Sequence, residues 1–269
     1  MLAFEKWEGL GNDFLIVRAG AALDPAVVAA LCDRHRGVGG DGVLEVGVDG
    51  MRPFMRVINA DGTSPQMCGN GLRCVARYLV DRGLVDRSSF EVDTDAGPHA
   101  VEVDGALVEV AMRPASLVPA ELPLAAAEPW IDAPIEVAGQ ALRVTAVSMG
   151  NPHAVLFDPL DRATRDRVGP ALERDPRFPE RVNVGFATLA PDGLDLAVWE
   201  RGVGWTQACG TGACAAAVAA VETGRAERGA PLTVRLPGGP LTIAVGEPAA
   251  PVRMTGPARH VFSGEVPLG

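Results

Sequence analysis

The chain has 269 residues, of which 48% are hydrophobic and 22% are charged, and its formal net charge at pH 7 is −10. This composition is typical of a globular protein with a sizeable core, and the lack of a basic patch argues against nucleic acid as a partner. No segment reaches the roughly 18 consecutive apolar residues of a membrane span, and Met1 to Glu8 lack the pattern of a signal peptide. We therefore expect a cytoplasmic protein that binds neither nucleic acid nor membrane.

Short β-type runs alternate with helical segments, and glycine and proline residues separate them. The predicted strands, in chain order, include residues 14–17, 90–93, 106–112, 141–147 and 232–236. Helices are predicted over residues 25–35 and 162–173, and two more begin at Cys68 and Cys209. Residues 115–134 are rich in proline and alanine, and we expect them to connect two domains.

The two cysteine-led segments resemble each other. Residues 68–71, Cys-Gly-Asn-Gly, open an apolar run that reaches Gly83, and residues 209–212, Cys-Gly-Thr-Gly, open a similar run that reaches Gly224 after the same number of residues. Neither run contains proline. Each predicts a buried helix that is closed by a glycine.

The likeness extends upstream of both cysteines. Asn59 and Glu200 each follow an apolar run and precede their cysteine by the same distance, while Gly11-Asn12 and Gly150-Asn151 precede theirs by nearly the same distance. Matching features in the same order indicate a duplicated domain. We predict an α+β fold of two pseudo-symmetric domains, each with strands wrapped around a central helix, and an active site in the cleft between them.

A cysteine at a helix start can act as an acid or a base. The unpaired N–H groups and the helix dipole there stabilise a thiolate, and the same N–H groups can hold a carboxylate. Two such loops suggest that Cys68 and Cys209 invert an amino-acid α-carbon, one thiol acting on each face. Cys32, Cys74 and Cys214 lie inside helical patterns and are expected to be core residues.

Cofactors are not expected. Lys6 is the only lysine among the 24 basic residues and lies in the first apparent strand, which disfavours a pyridoxal phosphate Schiff base. The four histidines are scattered without the spacing of metal ligands. The inferred reaction therefore needs neither a cofactor nor a metal, and the developing carbanion must be stabilised by the two helix dipoles.

Each of the other candidate polar residues allows a structural and a functional interpretation. The asparagines are either turn residues or ligands of the substrate; they are Asn12, Asn59, Asn70, Asn151 and Asn183. Glu200-Arg201 is either a surface ion pair or a clamp for a distant ammonium and carboxylate. His153 is either a polar wall of the site or a core histidine.

These motifs together resemble the diaminopimelate epimerase family over essentially the whole chain. The segments that carry the resemblance are Gly9 to Phe14, Asn59 to Gly62, Cys68 to Gly71, Gly150 to His153, Glu200 to Gly202, Ala208 to Gly212, Pro237 to Gly239 and Met254 to Gly256. The resemblance implies cofactor-independent interconversion of LL- and meso-2,6-diaminoheptanedioate in lysine and peptidoglycan precursor biosynthesis.

The resemblance also implies roles for individual residues. Cys68 and Cys209 would be the acid–base pair. The substrate-binding residues would be Asn12, Asn59, Asn151, Asn183, Glu200 and Arg201, with carboxylate-holding amides at Gly69-Asn70 and Gly210-Thr211. The domains would span residues 1–113 and 114–257, with 258–269 returning to the first domain as its last strand, and the protein would be a homodimer.

Three residues depart from the family pattern. Gly42 stands where a glutamine near the substrate is common, so we do not predict a substrate contact at this position. Trp205 stands where a glutamate is common, in the loop before Cys209. Phe262 replaces a tyrosine often found near the dimer interface.

Two kinds of alternative stay open. A proline-type racemase or hydroxyproline epimerase also uses two cysteines, but a one-ended substrate needs no clamp such as Glu200-Arg201; a phenazine-type isomerase would not be expected to carry the two cysteines. A redox sensor that closes a disulfide between Cys68 and Cys209 belongs to another class, and it leaves the duplicated asparagine positions unexplained.

Overall fold

The computed structural model describes residues 1–21, 23–50, 52–65 and 67–268. In chain order the elements are β1 Leu2–Gly9, β2 Asn12–Arg18, α1 Pro25–Cys32, β3 Gly42–Asp49, β4 Arg52–Asn59, α2 Gly69–Asp81, β5 Ser89–Thr94, β6 Gly97–Asp104, β7 Leu107–Pro114, β8 Ala133–Val137, β9 Gln140–Ser148, β10 Pro152–Leu156, α3 Arg162–Glu173, β11 Asn183–Ala190, β12 Gly193–Glu200, β13 Gly204–Trp205, α4 Gly210–Glu222, β14 Pro231–Leu236, β15 Gly239–Ala244, β16 Pro251–Pro257 and β17 Arg259–Val266. None of the helices described is long and apolar enough to cross a membrane.

The chain divides into two compact units. Unit 1 comprises Met1–Ala111 and Thr255–Gly269, and its last residue, Gly269, lies outside the described residues. Unit 2 comprises Met112–Met254.

The strands of unit 1 pair in the order β17, β1, β2, β3, β4, β5, β6 and β7. Pairing is antiparallel from β17 to β2, parallel between β2 and β3, antiparallel between β3 and β4, parallel between β4 and β5, and antiparallel thereafter. Parallel neighbours need a crossover connection, and α1 and α2 lie in the two crossovers.

Unit 2 repeats this pattern with β8, β9, β10, β11, β12, β14 and β15. The pairs β10–β11 and β12–β14 are parallel, the other neighbours are antiparallel, and α3 and α4 lie in the two crossovers. The same alternation in both units confirms the duplication that the sequence predicts. The outermost strand is β8 in unit 2, and in unit 1 the same place is taken by β17 from the end of the chain.

Each unit has a central helix. α2 packs against six strands of unit 1, and α4 packs against six strands of unit 2. Both helices have 13 residues and are almost entirely buried, α4 through a run of alanines that leaves room for strands on all sides. Both are followed by a glycine in the left-handed region, Gly83 with φ of 63° and Gly224 with φ of 71°, as expected for a glycine-closed helix end.

The predicted helix over residues 25–35 ends three residues early. α1 begins after Asp24, whose carboxylate caps the helix, and ends at Cys32. Asp33 then accepts hydrogen bonds from the backbone N–H groups of His35 and Arg36. This local turn competes with the helix for the chain that follows.

The interpretation of residues 115–134 as an interdomain connection is wrong. The segment belongs to unit 2, where Ser116 bridges to Ser148 and a short 3-10 turn spans Pro119–Glu121. Leu122 and Leu124 are buried in the core of that unit. Burial of these leucines stabilises a stretch whose proline and alanine content alone is typical of a linker.

Candidate active site

Cys68 and Cys209 occupy the same structural position in their units. Each is the N-cap residue of the central helix and has extended backbone dihedrals, with φ of −134° for Cys68 and −121° for Cys209. The Sγ of Cys68 accepts a hydrogen bond from the backbone N–H of Gly71 at 3.4 Å. The sequence-based placement of both thiols at helix starts is therefore confirmed.

The backbone beside both sulfurs is closely packed. A Cβ atom at Gly71 would lie 3.0 Å from the side chain of Leu44, and one at Gly212 would lie 3.1 Å from the Sγ of Cys209. A side chain at either position would require Leu44 or the thiol to shift, whereas glycine fits without a shift. The repeated Cys-Gly-X-Gly motif thus reflects tight packing at the start of each central helix.

The thiol of Cys209 is protonated at neutral pH. Burial raises its pKa well above the ordinary range, the negative charge of Glu200 raises it further, and hydrogen bonds from Thr211 and Gly212 only partly oppose this. The backbone N–H of Gly212 at the helix start favours the thiolate, as expected, but desolvation of the Cys209 sulfur outweighs this contribution. Cys68 is less buried than Cys209.

In unit 1 the structure brings Asn12 and Asn70 together. The Nδ2 of Asn70 donates to the Oδ1 of Asn12 at 3.1 Å, and the Nδ2 of Asn12 donates to the Oδ2 of Asp41 at 2.5 Å. Asp41 thereby fixes the orientation of the Asn12 amide. Sequence reasoning missed Asp41, which stands between two glycines just before β3.

Two basic side chains form ion pairs with Asp41 and with the neighbouring Asp13. Arg34 donates to Asp41 at 2.8 Å and to Asp13 at 2.6 Å, and Lys6 pairs with Asp13 at 2.8 Å. Burial alone would raise the pKa of Asp13, but hydrogen bonds from Arg34 and Lys6 lower it below its usual value. The only lysine of the chain is therefore engaged in holding β1 to β2.

Asn59 lies at the end of β4, and its side chain bonds within the turn that follows the strand. Its Nδ2 donates to the Oγ1 of Thr63 at 2.9 Å. Its partner across the strand pair is Gly42, where a Cβ atom would lie 2.7 Å from the carbonyl oxygen of Ile58. The two strands therefore leave no room for a side chain at Gly42 in this backbone arrangement.

In unit 2 a chain of polar contacts runs to Cys209. The Nε2 of His153 lies 3.1 Å from the Oδ1 of Asn151, the Nδ2 of Asn151 donates to the Oγ1 of Thr211 at 3.3 Å, and that hydroxyl lies 3.6 Å from the Sγ of Cys209. His153 is buried and supports Asn151. Its burial agrees with the interpretation as a core histidine, and its contact places it next to Asn151.

Asn183 holds the turn that carries Arg201. Its Nδ2 donates to the carbonyl oxygen of Pro152 at 3.0 Å, and its Oδ1 accepts from the backbone N–H of Arg201 at 2.9 Å. The guanidinium of Arg201 donates to the carbonyl oxygen of Glu180 at 2.8 Å. Glu200 accepts from the hydroxyl of Thr206 at 2.5 Å, and Thr206 is a second residue that sequence reasoning missed.

A model of the family described as diaminopimelate epimerase matches residues 4–118 and 145–261. The chain belongs to the diaminopimelate epimerase family. A protein of that name from a Synechococcus species is 47% identical over 280 residues, which cover 98% of this chain and 97% of that protein. Another, from Stutzerimonas stutzeri, is 45% identical over 279 residues and the match covers all of both chains. The chain is accordingly an enzyme of the isomerase class.

Solved structures of other enzymes share the fold. A probable proline racemase from Agrobacterium radiobacter superposes with a TM-score of 0.73 at 14% identity, covering 100% of this chain and 94% of that one. A PhzF-family phenazine biosynthesis protein from Bacillus anthracis gives a TM-score of 0.73 at 16% identity, covering 98% of both. At such identities the likeness establishes the α+β fold and nothing about substrate.

Trp205, where the resemblance led us to expect a glutamate, fastens the loop before Cys209 to α3. Its Nε1 donates to Asp166 at 2.8 Å, the guanidinium of Arg162 lies 4.4 Å from its ring centroid, and Trp199 contacts it edge-on at 5.5 Å. A tryptophan here supplies apolar and cation–π contacts that a glutamate would not.

Phe262, the third departure, lies on β17. Its ring packs edge-to-face against Phe4 of β1, with ring centroids 5.8 Å apart. The side chain keeps 43% of its surface exposed. In the part of the chain described here, no cluster of three or more His, Cys, Asp or Glu residues could hold a metal ion.

His153 makes the stability of this diaminopimelate epimerase family member sensitive to acid. Burial and then the charge of Arg201 lower its pKa from 6.5 to about 3. As pH falls below 6.5, the unfolded chain takes up a proton at this residue that the folded chain does not, so folding is weakened. At about 1.4 kcal/mol per pKa unit, this costs about 3 kcal/mol by pH 4.

We therefore expect the free energy of unfolding to fall between pH 7 and pH 4, and His153→Gln to reduce that fall by about the same amount. Urea denaturation of the wild type and of His153→Gln at pH 7 and pH 4 measures the free energy of unfolding. A fall of equal size in the variant would contradict the neutral, buried state of His153.

Proposed function

We propose that this protein interconverts LL- and meso-2,6-diaminoheptanedioate, with Cys68 and Cys209 as a two-thiol acid–base pair. The observation that carries the proposal is the placement of both cysteines at the N-cap of matching, buried 13-residue helices in two units of the same topology. Two equivalent thiols in two units of the same topology suit a reaction that removes a proton from one face of a carbon and adds a proton to the opposite face.

The helix starts supply the anion site. The first N–H groups of an α-helix point out of its start and carry a partial positive charge. In α2 these belong to Gly69 and Asn70, and in α4 to Gly210 and Thr211. They would hold the α-carboxylate and stabilise the negative charge that develops when the α-proton leaves.

Proton transfer would proceed from one sulfur to the other through the substrate. A thiolate takes the α-proton, the C–H bond breaks as an S–H bond forms, and the electron pair left on the α-carbon takes a proton from the opposing thiol. Cys209, buried and protonated, supplies the acid in one direction, with Cys68 as base. The two exchange roles in the reverse direction.

The distal end of the substrate would be held by Arg201 and Glu200, and the amides of Asn12, Asn59 and Asn151 would add further substrate contacts. Arg201 carries the fork geometry that suits a carboxylate, and Glu200 can accept from an ammonium. Both polar atoms of the Asn183 side chain are already hydrogen-bonded, one to Pro152 and one to Arg201. Asn183 would therefore contribute to substrate binding by holding Arg201 in place.

The cellular setting is proposed on the family resemblance. The protein would act in the cytoplasm as a homodimer, without pyridoxal phosphate or metal, in the synthesis of lysine and peptidoglycan precursors. The thiols carry the proton chemistry themselves, so no cofactor is needed for the step.

Solvent deuterium tests the reaction directly. LL-diaminopimelate incubated with the enzyme in deuterated water is expected to give the meso isomer with deuterium at the inverted α-carbon, because a thiol exchanges its proton with solvent. Chiral chromatography with mass spectrometry measures both. Absence of the meso isomer, or activity that is lost on chelation and restored by a metal, would contradict the proposal. Turnover of proline instead would favour the racemase alternative.

A further inference from the structure

Glu173 is a buried carboxylate that ends α3. Its residue is only 2% exposed. The Oε1 atom accepts from the backbone N–H of Gly202 at 3.0 Å, and the Oε2 atom accepts from the indole Nε1 of Trp199 at 2.8 Å. Neither donor is charged, and the nearby cation of Arg181 stands 3.7 Å from Oε1 with a half-exposed side chain.

The turn that Glu173 contacts carries the distal clamp. β12 and β13 pair through Trp199 with Trp205 and through Glu200 with Gly204, so residues 201–203 form the connection. Gly202 has a φ of 79°, in the left-handed region that glycine tolerates. Arg201 is the first residue of this short turn, and Glu200 is the last residue of β12 before it.

Two of the three backbone N–H groups of the turn are held by side chains from other elements. That of Arg201 donates to Asn183, and that of Gly202 donates to Glu173. That of Val203 donates to the carbonyl oxygen of Glu200 at 3.1 Å. Asn183 and Glu173 thus fasten the turn at consecutive residues.

A carboxylate is needed at this position because both neighbours are donors. An ionised carboxylate accepts at both oxygens, and such charge-assisted bonds are short and strong. A glutamine has one acceptor and one donor group, so its NH₂ would face either the Trp199 indole N–H or the Gly202 N–H. One buried donor would then lose its partner.

We infer that Glu173 is a positioning residue for substrate recognition: it sets the turn from which Glu200 and Arg201 reach the distal end of diaminopimelate. This inference rests on the proposed function. Glu173 lies outside the set of residues that touch substrate in that proposal, and it acts through the turn.

Glu173→Gln is expected to raise the KM for diaminopimelate at least about tenfold, with a smaller loss of kcat, because a misplaced clamp weakens binding of the distal end. The matched control is Glu222→Gln. Glu222 also ends a helix of unit 2 and accepts from Arg228, and its variant should keep wild-type kinetics. Circular dichroism and thermal melts check that both variants fold.

A second substitution separates positioning from general structure. In a Trp199→Phe background the indole donor is gone, so the glutamine NH₂ meets no opposing N–H. Glu173→Gln should then change KM less than about threefold relative to Trp199→Phe alone. The NMR signal of the Trp199 indole N–H, identified by its loss in Trp199→Phe, should shift in Glu173→Gln.

The outcomes distinguish failure of the proposed function from failure of the inference about Glu173. An inactive wild-type enzyme would overturn the proposed function. An active wild type with an unchanged KM in Glu173→Gln would overturn the inference alone, and so would an equal rise in KM in the Trp199→Phe background.

Discussion

Replacement of either Cys68 or Cys209 by alanine is expected to lower kcat for diaminopimelate by at least about a thousandfold, since a positioned acid or base contributes 10²- to 10⁴-fold and epimerisation needs both. Each sulfur stands at the start of a central helix, and no neighbouring group in the proposal can replace it. Steady-state kinetics in both directions, followed by chiral chromatography, measures the loss.

Cys32→Ala is the matched control for these variants. Cys32 is a buried core cysteine whose pKa burial raises to about 11, so its loss should leave kinetics unchanged. Thermal melts of all three variants separate loss of chemistry from loss of fold. Near-normal turnover by Cys68→Ala or Cys209→Ala would remove the two-thiol mechanism.

The internal repeat explains why much of the fold could be predicted from the sequence. Cys-Gly-X-Gly and the glycine that closes each run are local signals, set by backbone geometry within a few residues. α3 spans Arg162–Glu173, as predicted, and the carboxylate of Asp161 caps its start. Where local signals compete, as at Asp33 or in residues 115–134, prediction failed.

The parts of the candidate site that escaped prediction depend on distant partners. Asp41 reaches Asn12, and Thr206 reaches Glu200, through side-chain contacts that only the folded chain creates. The protonated state of Cys209 likewise depends on burial and on Glu200, whereas the sequence displays only the helix start. Motifs therefore pointed to the proposed reactive groups, and burial in the fold determines the protonation of Cys209.

The distal clamp also differs from its sequence-based description. Glu200 and Arg201 are neighbours in the chain, yet Glu200 is bonded to Thr206 while Arg201 donates to the carbonyl oxygen of Glu180. Both bonds hold the side chains in defined orientations. Two separately oriented groups of opposite charge suit the two charged groups at the far end of diaminopimelate.

Arg201→Ala is expected to lower kcat/KM for diaminopimelate by about 10²- to 10³-fold. The proposed substrate carboxylate would bury against Arg201, and loss of one partner of such a buried charge pair costs about 2–5 kcal/mol. Binding energy from the far end of a substrate also supports the chemical step, so kcat should fall together with affinity. The wild-type enzyme should not racemise proline or alanine, which lack a second end.

Arg167→Ala is the control for this substitution. Arg167 lies on α3 and, like Arg201, is exposed and donates to a backbone carbonyl oxygen, that of Ala163. Its removal changes the net charge equally but leaves the clamp in place, so kinetics should match the wild type. Steady-state kinetics of the wild type, Arg201→Ala and Arg167→Ala on diaminopimelate and proline measure these effects. Circular dichroism checks that all three proteins fold. Unchanged turnover in Arg201→Ala, or efficient racemisation of proline by the wild type, would show that specificity does not come from Arg201, because a one-ended substrate gains nothing from a distal cation.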